Sequence, residues 1–206
     1  MNRVGGKLVL ATRNPEKLIE LRRILAGGHV PVDVADLEEY PGMPEVAETG
    51  RTFTENALLK ARAVAAFTGL PAVADDSGLC VDALNGMPGV LSARWSGRHG
   101  DDDANLRLVL GQLSDIPAGR RGAQFVCAAA LVLPSGREHV TEGLLAGWLT
   151  SEPRGSHGFG YDPLFVPAGG ELTTAQLSPA EKDKISHRGK ALRALAPVIA
   201  ALLPGG

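Results

Sequence analysis

Apolar positions along the chain come in short blocks whose spacing changes from element to element. Leu8 to Ala11 is a short apolar run that leads into Asn14-Pro15-Glu16, and the pattern predicts a buried strand turning into a capped helix. Leu18, Leu21 and Leu25 recur at helical spacing until Gly27-Gly28 ends the helix, and Val32 to Val34 predicts a second strand. After an irregular acidic stretch, Thr52-Phe53-Thr54-Glu55 reads as a capping box opening a helix with Ala57, Ala61, Val64 and Ala65 on its apolar face and Gly69 and Pro71 at its end. Ala72 to Ala74 and Leu79 to Ala83 predict two strands meeting at a corner, the polar link Asp75-Asp76-Ser77-Gly78 between them. Leu106, Val109 and Leu110 mark a third helix. Phe125 to Leu133 and Arg137 to Leu149 predict a long hairpin about Pro134-Ser135-Gly136. A second capping box, Ser178 to Glu181, opens a short helix, and Leu192, Leu195, Ile199 and Leu202 build the last one.

At 206 residues the chain is long enough for one large domain or one domain with two lobes. Gly (26) and Pro (14) are abundant, so many turns and backbone-lined loops are expected. The net charge of −2 supplies no global positive field, which disfavours nucleic acid or an anionic membrane as a partner; an anion has to be held by a local cluster. The two cysteines, Cys80 and Cys127, fit neither a disulfide framework nor a zinc site, and read as buried thiols. No signal peptide or membrane span is legible, so a cytoplasmic location is expected.

Four segments carry candidate chemistry. Thr12-Arg13-Asn14-Pro15-Glu16-Lys17 lies between a strand and a helix start, where free N–H groups favour a phosphate and Lys17 adds charge; the plain alternative is an ordinary capped connection. Asp75 and Asp76 repel each other unless a cation compensates them. A hard divalent ion such as Mg2+ does this with oxygen ligands, and Glu48 is a candidate third ligand. The alternatives are an Asp-rich turn bonding local amides and a solvated loop acid. In Ser156 to Pro163, glycines allow close backbone approach and Phe159 offers a ring to stack a base, or else the segment is a tight turn with core aromatics. Lys182, His187 and Arg188 belong to a basic stretch suited to phosphate or an oxo group, or to a solvated helix junction. Lys60 and Arg62 point to different helix faces, so at most one of them is expected to serve a given site.

Together these parts form the inventory for a nucleoside triphosphate with Mg2+. The segments Thr12 to Lys17, Glu48-Thr49-Gly50, Thr52 to Arg62, Ala74 to Gly78, Pro88 to Arg94, Gly158 to Pro163 and Ser186 to Gly189 resemble, in order, the inosine triphosphate pyrophosphatase family, also called HAM1-like. The resemblance implies a mixed α/β fold with a long curved central sheet, flanking helices and two lobes around a substrate cleft, as a single domain over residues 1–206. It implies hydrolysis of ITP, dITP and XTP to the monophosphate and pyrophosphate with Mg2+, in a homodimer. By the same resemblance Thr12, Arg13, Asn14, Pro15, Glu16, Lys17 and Lys182 hold phosphates, with Lys60 near them. Glu48 and Asp76 bind metal and Asp76 is the proton acceptor; apart from the resemblance, the adjacent Asp75 is a further candidate for the metal, and which of the two acids activates water is left open by the sequence. Ser77, Phe159, Gly160, Tyr161, Asp162, His187 and Arg188 line the nucleotide site. Arg13 departs from the Gly that relatives often carry. A Maf-like pyrophosphatase with another base preference and a non-catalytic nucleotide sensor are the competing readings.

Overall fold

The computed structural model describes residues 6–203, with the side chain of Glu16 outside the described set. The elements follow the chain as β1 (Lys7–Leu10), α1 (Pro15–Gly27), β2 (Asp33–Ala35), α2 (Phe53–Thr68), β3 (Ala72–Val81), α3 (Asp102–Gln112), β4 (Gly122–Val132), β5 (Glu138–Leu149), β6 (Phe165–Pro167), α4 (Pro179–Ile185) and α5 (His187–Leu202). The six strands form one sheet in the order β2-β1-β3-β4-β5-β6. β1 pairs in parallel with β2 and β3, the arrangement that helical crossovers through α1 and α2 permit, while β6 runs antiparallel to β5. The sheet is therefore mixed, as expected, and β4 and β5 are joined through a turn in which the Gly136 N–H donates to the Leu133 carbonyl.

The chain divides into two compact units. The first takes the chain through Asp76, Cys127–Gly143 and the chain from Arg188; the second takes Ser77–Val126 and Leu144–His187. Each unit has its own core. In the first, Leu18, Leu21 and Leu25 of α1 and Leu192, Leu195 and Ile199 of α5 pack with Leu8, Leu10, Val73, Cys127, Ala129 and Leu131 of the strands. The helical spacing read from the sequence thus becomes a buried stripe, each large side chain contributing roughly 1.5–3 kcal/mol. In the second, Leu79, Val81, Leu106, Val109, Phe125, Leu149, Leu164 and Phe165 form the core.

Three local expectations are corrected. The two strands about a polar corner are one continuous strand: β3 runs through Asp75, Asp76, Ser77 and Gly78, because both carboxylates find cationic or amide partners and the extended backbone stays in the sheet. The Thr52 box is half formed. The Thr52 hydroxyl accepts the Glu55 N–H at 3.1 Å, but the Glu55 carboxylate takes the Arg51 N–H at 2.6 Å in place of that of Thr52. Cys127 is buried as expected, whereas Cys80 is only partly so. The Ser178 box is complete. No helix among the described residues is long and apolar enough to cross a membrane.

Candidate functional site

The first unit gathers two clusters about β3. Adjacent strand residues point to opposite faces, so Asp75 and Asp76 meet different neighbours. Asp75 Oδ2 accepts from Lys17 Nζ at 2.7 Å and from Arg188 Nε at 3.1 Å, which brings the ends of α1 and α5 onto one carboxylate oxygen. Arg188 Nη1 lies 3.5 Å from the carboxylate of Glu20, one turn beyond Lys17 on α1. Burial alone would push the Asp75 carboxyl up, yet the Lys17, Arg188 and Lys60 charges hold it well below the usual carboxylate range. Asp75 is an acid already neutralised by the protein.

Asp76 faces α2. Its Oδ2 accepts from Asn56 Nδ2 at 3.0 Å, and Lys60 Nζ stands 3.6 Å from its Oδ1 and 2.8 Å from Glu48 Oε1. Burial pushes the Asp76 carboxyl up, and the Glu48 and Asp75 charges add to this, against Lys60 and the Asn56 amide. Lys60 itself is raised despite its burial, because Asp76, Asp75 and Glu48 all favour its charged form. Lys60 reaches this cluster while Arg62 pairs with the exposed Glu138 at 2.6 Å, so the two basic residues of α2 serve different faces, as expected.

This second cluster passes a chemical test for a hard divalent ion. Two carboxylates, Glu48 and Asp76, converge on one cationic position, which the Lys60 ammonium now takes. Among the described residues no group of three or more His, Cys, Asp or Glu side chains forms a cage for a metal. Two carboxylates completed by water and substrate phosphate oxygens are the usual provision for Mg2+, which dehydrates reluctantly.

The turn before α1 is organised by its own residues. The Thr12 hydroxyl accepts the Asn14 N–H at 3.1 Å, and Pro15 opens the helix. Arg13 Nη2 donates to the Met43 carbonyl at 3.1 Å, which ties this turn to the loop that leads to Glu48 and gives the departure at position 13 a structural role.

The second unit holds the remaining candidates. Asp162 is buried and accepts from the Phe159 N–H at 2.9 Å, from the Thr174 hydroxyl at 2.8 Å and from Lys182 Nζ. Gly158 has φ +77, and a Cβ there would collide with the Asp162 carboxylate, so this loop requires glycine. The Gly160 N–H donates to Asp102 at 2.9 Å. The Phe159 ring is 51% exposed with Lys182 Nζ 5.3 Å from its centroid, whereas Tyr161 is buried with its hydroxyl donating to the Ser92 carbonyl at 2.9 Å. Of the two aromatics, therefore, Phe159 offers a face and Tyr161 is packing. The His187 ring stacks on Phe125 at 4.9 Å and 12°. Ser77 lies partly exposed on β3.

Three residues that the pattern reading passed over take part. Asn56 holds Asp76, Glu20 holds Arg188, and Asp102 holds the glycine-rich loop. Asn56 and Lys60 are four apart on α2, and Glu20 is three from Lys17 on α1, spacings that place them on the same helix faces. Asp102 carries no such signal, since an acid in a helix's first turn is ordinary.

The chain is similar to known proteins over nearly its whole length. The model of the Ham1 family matches residues 8–198. A dITP/XTP pyrophosphatase of Streptomyces coelicolor is 60% identical over 197 residues, covering 96% of this chain and 98% of that protein. The crystal structure of a nucleoside-triphosphatase, dITP/XTP pyrophosphatase, from Mycobacterium abscessus is 59% identical with a TM-score of 0.80, over 94% of this chain and 99% of that one. The structure of a HAM1 protein from Coxiella burnetii is 41% identical with a TM-score of 0.88, over 95% and 98% of the two chains.

Proposed function

The chain belongs to the Ham1 family, and from that premise we propose that it hydrolyses non-canonical purine nucleoside triphosphates, dITP, ITP and XTP, to the monophosphate and pyrophosphate. The observation that carries the reading to chemistry is the convergence of Glu48 and Asp76 on the Lys60 ammonium, in the unit that also carries Lys17 and Arg188.

In this mechanism Glu48 and Asp76 hold Mg2+. When bound, the ion supplies Lewis acidity and neutralises charge on phosphate oxygens. Asp76 accepts a proton from the water that attacks the α-phosphorus, the α–β phosphoanhydride bond breaks, and pyrophosphate leaves. The Asn56 amide holds Asp76 Oδ2 and leaves Oδ1 on the side of Lys60, which places the carboxylate for the task. Asp75 takes the complementary part. With its oxygen engaged by Lys17 and Arg188, it fixes two cations in place rather than donating to the metal. Lys17, Lys60 and the turn from Thr12 provide charge for the phosphates.

Phe159 stacks the purine and His187 donates to its O6, which disfavours adenine by setting donor against donor. The Phe159 and Gly160 N–H groups already serve Asp162 and Asp102, so the ring does not draw its donors from them. By the resemblance to its family the working species is a homodimer, which sedimentation at micromolar concentration tests.

Pyrophosphate release measured on dITP, ITP, XTP, GTP and ATP, with Mg2+ and with EDTA, tests the reading. The expected result is metal-dependent release from the first three and far lower kcat/KM on ATP. Equal efficiency on ATP removes the base-recognition account, and full activity in EDTA removes the metal.

A further inference from the structure

We propose that Asn56 is a positioning residue of this reaction, its single amide tying Asp76 to the loop that carries Glu48. The inference rests on the function proposed above and concerns how that site is held.

Asn56 is fully buried in the first turn of α2. Its Nδ2 donates to Asp76 Oδ2 at 3.0 Å, and its Oδ1 accepts the Gly50 N–H at 2.7 Å. Gly50 lies two residues beyond Glu48, so the amide spans from β3 to the loop bearing the other carboxylate. A buried amide with both ends matched is costly to replace, since removing it takes a partner from a carboxylate oxygen and from a backbone N–H.

Two further facts assign the contact to the acidic pair rather than to packing in general. Lys60, one turn along the same helix face, reaches Glu48 and Asp76 Oδ1, so α2 holds one oxygen of Asp76 with an amide and leaves the other facing a cation. The loop is also fitted closely to the amide: a Cβ on Gly50 would stand 2.7 Å from Asn56 Oδ1 and 2.7 Å from Glu55 Cβ, so no side chain is accommodated there without displacing the contact. Asn suits the position because it combines a donor and an acceptor on a short stem. Such outer contacts commonly set the affinity and activity of a site by about 10- to 100-fold.

The test compares the wild-type chain with Asn56→Ser, Asn56→Leu and Gly50→Ala. Asn56→Leu removes both hydrogen bonds at similar volume, Asn56→Ser keeps a polar atom too short to span both partners, and Gly50→Ala disturbs the contact from the loop side. Three readouts are taken: the melting curve, kcat and KM for dITP with Mg2+, and binding of Mn2+ without nucleotide, followed by the electron paramagnetic resonance signal of the free ion. The expected result in the variants that fold is a kcat lower by about tenfold or more, KM within about threefold, and Mn2+ affinity weaker by about tenfold. The inference is overturned if every folded variant keeps kcat within about threefold of wild type, or if kcat falls with Mn2+ affinity unchanged. Loss of melting temperature alone, with both other readouts at wild-type level, also overturns it, because the amide would then serve only packing. A wild-type chain that releases no pyrophosphate from dITP strikes instead at the proposed function.

Discussion

Around Asp75 two cations meet one carboxylate oxygen, whereas around Asp76 one cation is shared by two carboxylates. The two residues are adjacent on one strand, and the pleat alone turns them toward different helices, α1 and α5 for the first and α2 for the second. Burial pushes both carboxyls up. The charge balance then separates them, Asp75 ending well below its ordinary value and Asp76 above it. One sequence motif thus yields one carboxylate with two cations on a single oxygen and another that shares one cation with Glu48.

The strongest way to break this contrast is to remove the charge of Asp75. Asp75→Asn leaves Lys17 and Arg188 buried against a neutral amide, and a loss of about 3–5 kcal/mol is expected, the range for an opened buried pair, read from urea unfolding. A change under about 1 kcal/mol would show that the two cations do not depend on Asp75.

Asp76→Asn is expected to act on the reaction rather than the fold. Turnover of dITP should fall at least about a hundredfold, as for loss of a general base, while the melting temperature holds or rises because a desolvated charge is gone. Near-normal kcat takes Asp76 out of that role.

Acid titration of stability sharpens the same contrast with opposite signs. The Asp75 pKa is depressed in the folded state, so its contribution is complete above the unfolded value of about 3.9 and is lost as pH falls through the folded one. Asp75→Asn should therefore flatten the loss of stability below about pH 4. The Asp76 pKa is raised, so the folded chain takes up that proton first and its unfavourable contribution is relieved as pH falls. Asp76→Asn should accordingly be more stable than wild type near neutrality and lose stability more steeply in acid.

The smallest effect is expected at the exposed pair between Arg62, on the same helix as Lys60, and Glu138 of β5. Arg62→Ala removes a contact to Glu138 that water already screens, so stability should move by no more than about 1 kcal/mol and kcat not at all. A large kcat effect would mean that α2 is positioned from its outer face as well.

Much of this was legible without coordinates. The Leu18, Leu21, Leu25 spacing, the Ser178 box and the hairpin about Pro134-Ser135-Gly136 are local signals, set by the 3.6-residue repeat, by a cap four residues long and by a short turn, and each element formed where its pattern lies. The corner at Asp75-Asp76 failed for the complementary reason. Polar residues usually mark a turn, but here the cations that keep them in a strand come from Lys17, Lys60 and Arg188, remote in sequence.

By itself the order of residues determined which chemical groups the chain owns, that Lys60 and Arg62 diverge, and that Thr12 to Lys17 leads from a strand into a helix, because these depend on composition and on the fixed period of each element. Only the tertiary structure decided that Asp75 meets two cations while Asp76 shares one, that Arg13 braces a loop, and that Asn56, Glu20 and Asp102 contact Asp76, Arg188 and the Gly160 N–H. Those outcomes turn on burial and on charges brought within a few ångströms from distant parts of the chain, and electrostatic energy in a low-dielectric interior depends on that distance, not on separation along the backbone.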